Sequence, residues 1–396
     1  MARPEIRLVP RMTNQGYARE QIDRRRAWAE EETGSTLTEI GRFSLDGESL
    51  RGNVENPIGA AQVPLGIAGP LRIEGEHAAG TFYVPLATTE GALVRSYERG
   101  MVALTRAGGV VTRVHRDENR VSPIFAFADV GAAADFKAEV AGNLGALRAA
   151  AEATTGHGKL LSVTCHPVGR SVITEFAYTT GDAHGMNMVV RATDAACRWL
   201  VEHTSATDYE LFSGHSGEKR AAGALLAGGK GKQVIAGALL PARLTRTFLN
   251  VEPAALARTW RRTVLGHLQA NTVGYNGHYA NGLAALFIAC GQDVANVANS
   301  AVGITDLELT AAGDLYASVT LPSLTVATVG GGTALATARE CLAMLGCAGS
   351  GKARKLAEIT AATLLAGELS FAAAIAAGEM VEAHESYGRN RPPEEE

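Results

Sequence analysis

The chain has 396 residues, 46% of them hydrophobic and 20% charged, with a formal net charge of −4. A chain this long exceeds what one hydrophobic core organises and predicts two or three domains. The slightly acidic balance and an aromatic content of only 6% exclude the basic footprint of a nucleic-acid binder and the stacking platforms of a single-strand binder.

The five cysteines, Cys165, Cys197, Cys290, Cys341 and Cys347, are widely spaced and form no CxxC or Cys/His cluster. Neither a zinc site nor a disulfide framework is expected, so no metal is assigned and a reducing, cytoplasmic compartment is the expectation. The opening MARPEIRLVPRM lacks the apolar centre of a signal peptide. No run of about 18 strongly apolar residues stands out, so no membrane span is expected.

Residues 1–50 read as a charged helical segment, with a helix over residues 17–32 (YAREQIDRRRAWAEEE). Its few apolar anchors leave two readings open, a solvated helix or one that packs on another subunit. NPIGAAQVPLGIAGPLRIEG then reads as turns and short strands, and TFYVPLA as a strand. The threonines before Glu90 are placed to cap a helix running toward Arg99.

Residues 122–214 read as a separate unit. IFAFADV is a strand and residues 135–154 an alanine-rich helix. LLSVTCHPV and SVITEFAYT are strands joined through Gly169 and Arg170. Residues 188–203 form a helix with Val189, Thr193, Ala196, Cys197 and Leu200 on one face, and YELFSG is a last strand. The order β-α-β-β-α-β is the split ferredoxin-like pattern, and its position predicts an insertion. Beyond it, QVIAGALLP and DLYASVTLPS read as strands, ANGLAALFIAC and TALATARECLAMLG as helices, and 352 to about 387 as a long helical region bent near Gly367 or Gly378.

Several segments carry candidate chemistry. GDAHGMNM, from Gly181 to Met188, lies between a strand and a helix and offers free N–H groups to a pyrophosphate. It is not GxGxxG, and alone it also fits an ordinary connection. SGHSGEKRAAG packs Glu218, Lys219 and Arg220 into a loop of small residues, where a lysine beside a carboxylate suits an oxyanion and a solvated cluster is the simpler alternative. GGKGK, at 228–232, lacks the spacing of a phosphate loop. Asn281 and Asp293 bracket an apolar helix, and Asp293 also fits a cap for the next one. Gly330 to Gly332 suit close backbone contact.

In this order, ENPIGAAQVPLGIAGPL, VPLATTEG, TTGDAHGMNM, GYNGHYAN, IACGQD, TVGGGT and AGELS resemble 3-hydroxy-3-methylglutaryl-coenzyme A (HMG-CoA) reductases, class I in particular, from about residue 17 to about 391. The resemblance implies a mixed α/β (α+β) fold. Residues 51–121 and 213–396 would form a large catalytic domain, with a ferredoxin-like NADP-binding domain inserted at 122–212. It implies reduction of HMG-CoA to mevalonate and free CoA by two hydrides from NADPH. Reduction of another acyl-CoA thioester and a silent CoA- or nucleotide-binding homologue are the alternatives. It also implies a homodimer or homotetramer with active sites between subunits, while charge and hydropathy lead us to expect neither a nucleic-acid nor a membrane partner.

The implied catalytic residues are Glu90, Lys219, Asp293 and His384. Lys219 would stabilise the oxyanion and Asp293 would hold the lysine. His384 would protonate the departing thiolate. Glu90 would protonate the aldehyde oxygen, which requires burial or nearby negative charge. On the substrate side the resemblance places Arg120, Ser213, Glu218, Arg220, Arg262 and Asn281, and toward CoA it places Glu55, Asn56 and Arg99. Glu218-Lys219-Arg220 stands for the family's Asp-Lys-Lys, and Arg262 for a lysine, exchanges that change reach and geometry. Toward the nucleotide it places Asp182, His184, Gly185, Met186 and Asn187. An arginine of the family aligns with Gly156, leaving Lys159 and Arg389 to hold a 2′-phosphate. The expectation is a modest preference for NADPH, with NADH possible.

Overall fold

The computed structural model describes residues 7–11 and 16–379. His384 and Arg389 lie outside them. The helices are α1 (Arg19–Thr33), α2 (Thr38–Gly41), α3 (Leu93–Arg106), α4 (Val130–Gly142), α5 (Leu144–Glu152), α6 (Met186–His203), α7 (Ala242–Leu249), α8 (Pro253–Gln269), α9 (Tyr279–Ala289), α10 (Val297–Ser300), α11 (Ala336–Met344) and α12 (Ala353–Ala377). The strands are β1 (Leu65–Gly75), β2 (Ala79–Ala87), β3 (Val110–Val121), β4 (Ile124–Ala126), β5 (Leu160–Val168), β6 (Ser171–Tyr178), β7 (Asp208–Glu210), β8 (Lys230–Leu240), β9 (Ile304–Leu309) and β10 (Leu315–Leu324).

Among the described residues all strands join one sheet, ordered β7-β4-β6-β3-β8-β10-β9, with β5 on β6 and the β1–β2 hairpin on β3. The fold is mixed helix and strand, as expected. Its two ends have separate cores. The smaller gathers Val121, Phe125, Phe136, Phe176, Val189 and Leu200 between α4, α5, α6 and the strands β7-β4-β6-β5. Those strands pair antiparallel throughout, which is the split βαβ arrangement. The alanine-rich helix expected over 135–154 is two helices broken at Asn143, whose side chain turns back to the Glu139 carbonyl.

The larger core wraps α12, buried along nearly its whole length. Ala353–Ala377 is long and apolar enough to cross a membrane, which corrects the reading that no such stretch exists. However, 83% of its apolar window is buried inside the fold. Of the two glycines at which a bend was expected, Gly367 lies inside a helix that continues to Ala377, and Gly378 ends it with φ +76°. Gly367 serves close packing instead. A Cβ on Gly367 would stand 2.4 Å from the Tyr97 ring, and one on Gly100 of α3 would stand 1.9 Å from the Ala366 carbonyl.

Two buried glutamates on α12 hold distant loops. Glu358 accepts the backbone N–H groups of Glu76, His77 and Ala78 at the β1–β2 turn. Glu368 accepts those of Gly277 and His278 and the Thr305 hydroxyl. Glu368 thereby fixes the loop that leads into α9.

Candidate active site

Glu90 opens a cavity of about 800 Å³ lined by α3, the start of α9 and the end of α12. The Thr88 hydroxyl accepts the Glu90 backbone N–H at 3.0 Å, so the threonine orders the turn and does not cap α3. The Asn281 amide donates to both Glu90 carboxylate oxygens, at 2.9 and 2.7 Å. Asn281 stands in the first turn of α9, directly after the loop that Glu368 holds, and His278 Nδ1 lies 3.2 Å from Glu368 Oε1. Glu90 is exposed in this single chain, so the burial expected of a proton donor is not supplied here. Arg99 lines the same cavity and is tied to Glu379, at 3.0 Å, and to Ser370.

Lys219 opens a second cavity of about 980 Å³. Its ammonium pairs with Asp293 Oδ2 at 2.8 Å. The other oxygen of Asp293 accepts the Ala295 N–H, so one carboxylate both caps a short 3-10 turn and holds the lysine. The hydrogen bond and charge of Asp293 outweigh burial and raise the Lys219 pKa above its ordinary value, keeping it charged. Lys219 sits at φ +54°, left-handed backbone that a side chain rarely adopts.

The same cavity is lined by His184, Gly185, Met186 and Asn187 and by Gly330, Gly331 and Gly332. Gly185, at φ +74°, starts the 18-residue α6, whose first N–H groups have no intrahelical acceptor. Positive φ at Gly330 and Gly331 keeps the facing backbone free of side chains. His184 Nε2 is buried and faces the Glu218 carboxylate at 3.6 Å, beyond ordinary hydrogen-bond length. A helix start and a glycine cradle beside the His184 imidazole fit a nucleotide pyrophosphate.

Other expected residues lie elsewhere. Glu218 also lines the Lys219 cavity, but its carboxylate is paired with fully buried Lys230 and lies 3.6 Å from His184. Burial would raise its carboxyl, but His184 and Lys230 outweigh burial and hold it at about 2. The same burial lowers Lys230 despite its partner. Taking both charges out of water offsets most of what their attraction gains, so the pair is no large net source of stability, although removing one partner strands the other. Lys232, also buried, pairs with Asp117, so the lysines of GGKGK are structural.

Asp182 lies next to Ala183 and His184 of the Lys219 cavity, but its carboxylate accepts from Ser350, Gly351 and Ala353 at the start of α12. Burial would raise it, and these bonds lower it overall. Its carbonyl accepts the Thr328 and Val329 N–H groups. Arg120 contacts Glu118 at 2.7 Å and Glu175 at 3.5 Å and lines neither cavity. The Ser213 hydroxyl donates to the Ser122 carbonyl. Arg220, Glu55 and Asn56 are exposed, as is Arg262 on α8. Lys159 reaches Glu152 at 2.7 Å.

The sequence reading missed Glu368, His278, Lys230 and Gln292. The Gln292 amide bridges Cys290 and Ala327 beside the glycine cradle. For Glu368 the available signal was a lone charge inside an apolar run, whereas His278 and Lys230 lie in glycine-rich text that gave none.

A family model described as hydroxymethylglutaryl-coenzyme A reductase matches residues 21–389. The chain belongs to the HMG-CoA reductase family. Relatives bearing that enzyme's name include one from Methanothermobacter thermautotrophicus, 42% identical over 93% of this chain and 94% of its own. One from Pyrococcus abyssi is 42% identical over 98% of each. Among solved structures, the HMG-CoA reductase of Streptococcus pneumoniae superposes with a TM-score of 0.69 at 18% identity, covering 92% of this chain and 99% of that one. A class II reductase from the same organism, bound to NADPH in open conformations, gives 0.69 at 19% identity, covering 90% and 86%. At such identities the likeness is one of fold.

Proposed function

We propose that this HMG-CoA reductase family member reduces HMG-CoA to mevalonate and free CoA with NADPH. The observation that carries the reading is the charged Lys219–Asp293 pair in the same cavity as the α6 start and the glycine cradle. Bound there, NADPH supplies hydride. Lys219 meets the negative charge that develops on the carbonyl oxygen, and Asp293 holds its ammonium in place. His384 protonates the departing thiolate, and Glu90, aligned by Asn281, delivers a proton to the aldehyde oxygen. The α6 N-terminus and His184 hold the pyrophosphate. Lys159 and Arg389 act on the 2′-phosphate, with Lys159 exchanging its contact with Glu152 to do so.

The Glu90 and Lys219 cavities lie toward opposite ends of α9, a helix about 16 Å long at 1.5 Å per residue. We assign the complete site to two subunits, Glu90 from one and Lys219 from its partner, which also supplies the cover that Glu90 lacks. The exposed side of the sheet carries Ile67, Tyr83, Val111, Ile235, Leu239 and Tyr316, an apolar face suited to such an assembly. The division into a large domain and an inserted NADP-binding domain at 122–212 is part of this proposal, supported by the separate cores.

The test is HMG-CoA-dependent NADPH oxidation with mevalonate and CoA quantified. Two NADPH consumed per CoA released is the expected stoichiometry. No HMG-CoA-dependent oxidation would overturn the reading. In the same assay kcat/KM should favour NADPH over NADH modestly, and a clear preference for NADH would remove the 2′-phosphate assignment.

A further inference from the structure

His166 on β5 and Glu175 on β6 belong to one hairpin, and His215, from the loop after β7, comes to join them. Their ligand atoms all lie within 4.8 Å of one another. His166 Nε2 is 3.3 Å from Glu175 Oε2, and His215 Nε2 is 3.4 Å from Oε1. Around a tetrahedral ion with bonds of about 2.0–2.1 Å, neighbouring ligand atoms stand about 3.3 Å apart. Each imidazole nitrogen already has that spacing from one carboxylate oxygen, His166 from Oε2 and His215 from Oε1. Glu175 is 15% exposed, whereas the two histidines are 41% and 32% exposed, leaving solvent room to complete a shell.

Arg120 steadies the carboxylate. Its Nη1 is 3.5 Å from Glu175 Oε2, while its closer partner is Glu118 at 2.7 Å. A carboxylate fixed by a neighbour is the usual support of a metal ligand. None of the three residues lines the cavity of Lys219 or that of Glu90.

We propose that His166, Glu175 and His215 bind a divalent transition-metal cation of the zinc class, with water as the remaining ligand. Two imidazoles and one carboxylate select such ions over magnesium or calcium, which prefer all-oxygen shells. The bound ion would join the β5–β6 hairpin to the loop that reaches Lys219 four residues after His215. It takes no part in hydride transfer.

The test uses tag-free, full-length protein freed of metal with a chelator. Titration with Co²⁺ alone should give the visible absorption of a four- or five-coordinate ion, saturating at one per chain and bleached by Zn²⁺. Zn²⁺ should also raise the melting temperature, since it binds only the folded state. His166→Ala, Glu175→Gln and His215→Asn should each weaken Co²⁺ binding about tenfold or more and remove the Zn²⁺-dependent rise. Three variants are used so that loss of folding in one leaves the others to decide. No absorption at millimolar Co²⁺ would overturn the proposal, as would binding unchanged in all folded variants, which places the ion elsewhere. No readout depends on turnover, so failure here leaves the reductase reading intact.

Discussion

Replacing Lys219 by alanine separates the lysine's chemistry from its part in folding. Its ion pair with Asp293 is short, but the two side chains are 47% and 45% exposed. A pair so exposed contributes roughly 0–1 kcal/mol to stability. Asp293 keeps its bond to the Ala295 N–H without the lysine, so the turn stays anchored. Alanine retains the left-handed backbone at this position, and Lys219→Gly relieves it, so neither substitution should cost more than about 1 kcal/mol. Catalysis is different. Loss of one oxyanion-stabilising donor costs about 3 kcal/mol, roughly a hundredfold or more in kcat. Initial rates of NADPH oxidation at saturating HMG-CoA, read beside the melting temperature, give both quantities. Folded Lys219→Ala turning over within about threefold of the parent would refute the oxyanion assignment. Inactivity accompanied by a collapse in melting temperature would refute the claim that the pair is dispensable for folding.

Glu218→Gln strands the buried Lys230 charge and should destabilise the protein at neutral pH by about 3–5 kcal/mol. Glu218 titrates near 2 in the fold against 4.5 unfolded, so its stabilising effect is complete above 4.5 and is lost as the pH falls toward 2. The gap in urea-unfolding free energy between parent and variant should therefore narrow across that interval, and a gap independent of pH would contradict the assignment. Asp182→Ala removes the acceptor at the start of α12 and should cost about 1–2 kcal/mol while raising KM for NADPH. A raised KM with unchanged stability would mean that Asp182 acts by touching the nucleotide. His384→Gln should impair thioester reduction more than reduction of added mevaldehyde, and equal losses in the two assays would assign His384 another role.

Legibility in the sequence followed locality. The β5–β6 hairpin was readable to its ends because alternating apolar residues flank Gly169, which adopts φ +60° as such a turn requires. β3 escaped notice. Its text, VVTRVHRDENRV, is studded with charges because the strand runs between the two cores and buries few side chains outright. Gly367 suggested a bend, yet its reason is the ring of Tyr97, which no local pattern reveals. The glutamates of α12 are similar, since Glu358 serves backbone some 280 residues away. At the site, the pairing of Lys219 with Asp293 was legible through family resemblance alone. That Glu218 faces Lys230, and that Glu90 and Lys219 open into different cavities, depends on packing between distant segments.

The separation of those cavities has a genetic consequence. If each working site takes Glu90 from one chain and Lys219 from another, two dead variants can repair one another. A chain carrying Glu90→Gln and a chain carrying Lys219→Ala would form mixed dimers with one doubly damaged site and one untouched site. Random pairing of equal amounts makes half of the dimers mixed, so about a quarter of the parental activity would return on co-expression. The same geometry makes a single-defect allele additive and not dominant, since each mixed dimer with a healthy chain keeps one intact site and half of the parental activity remains at equal expression.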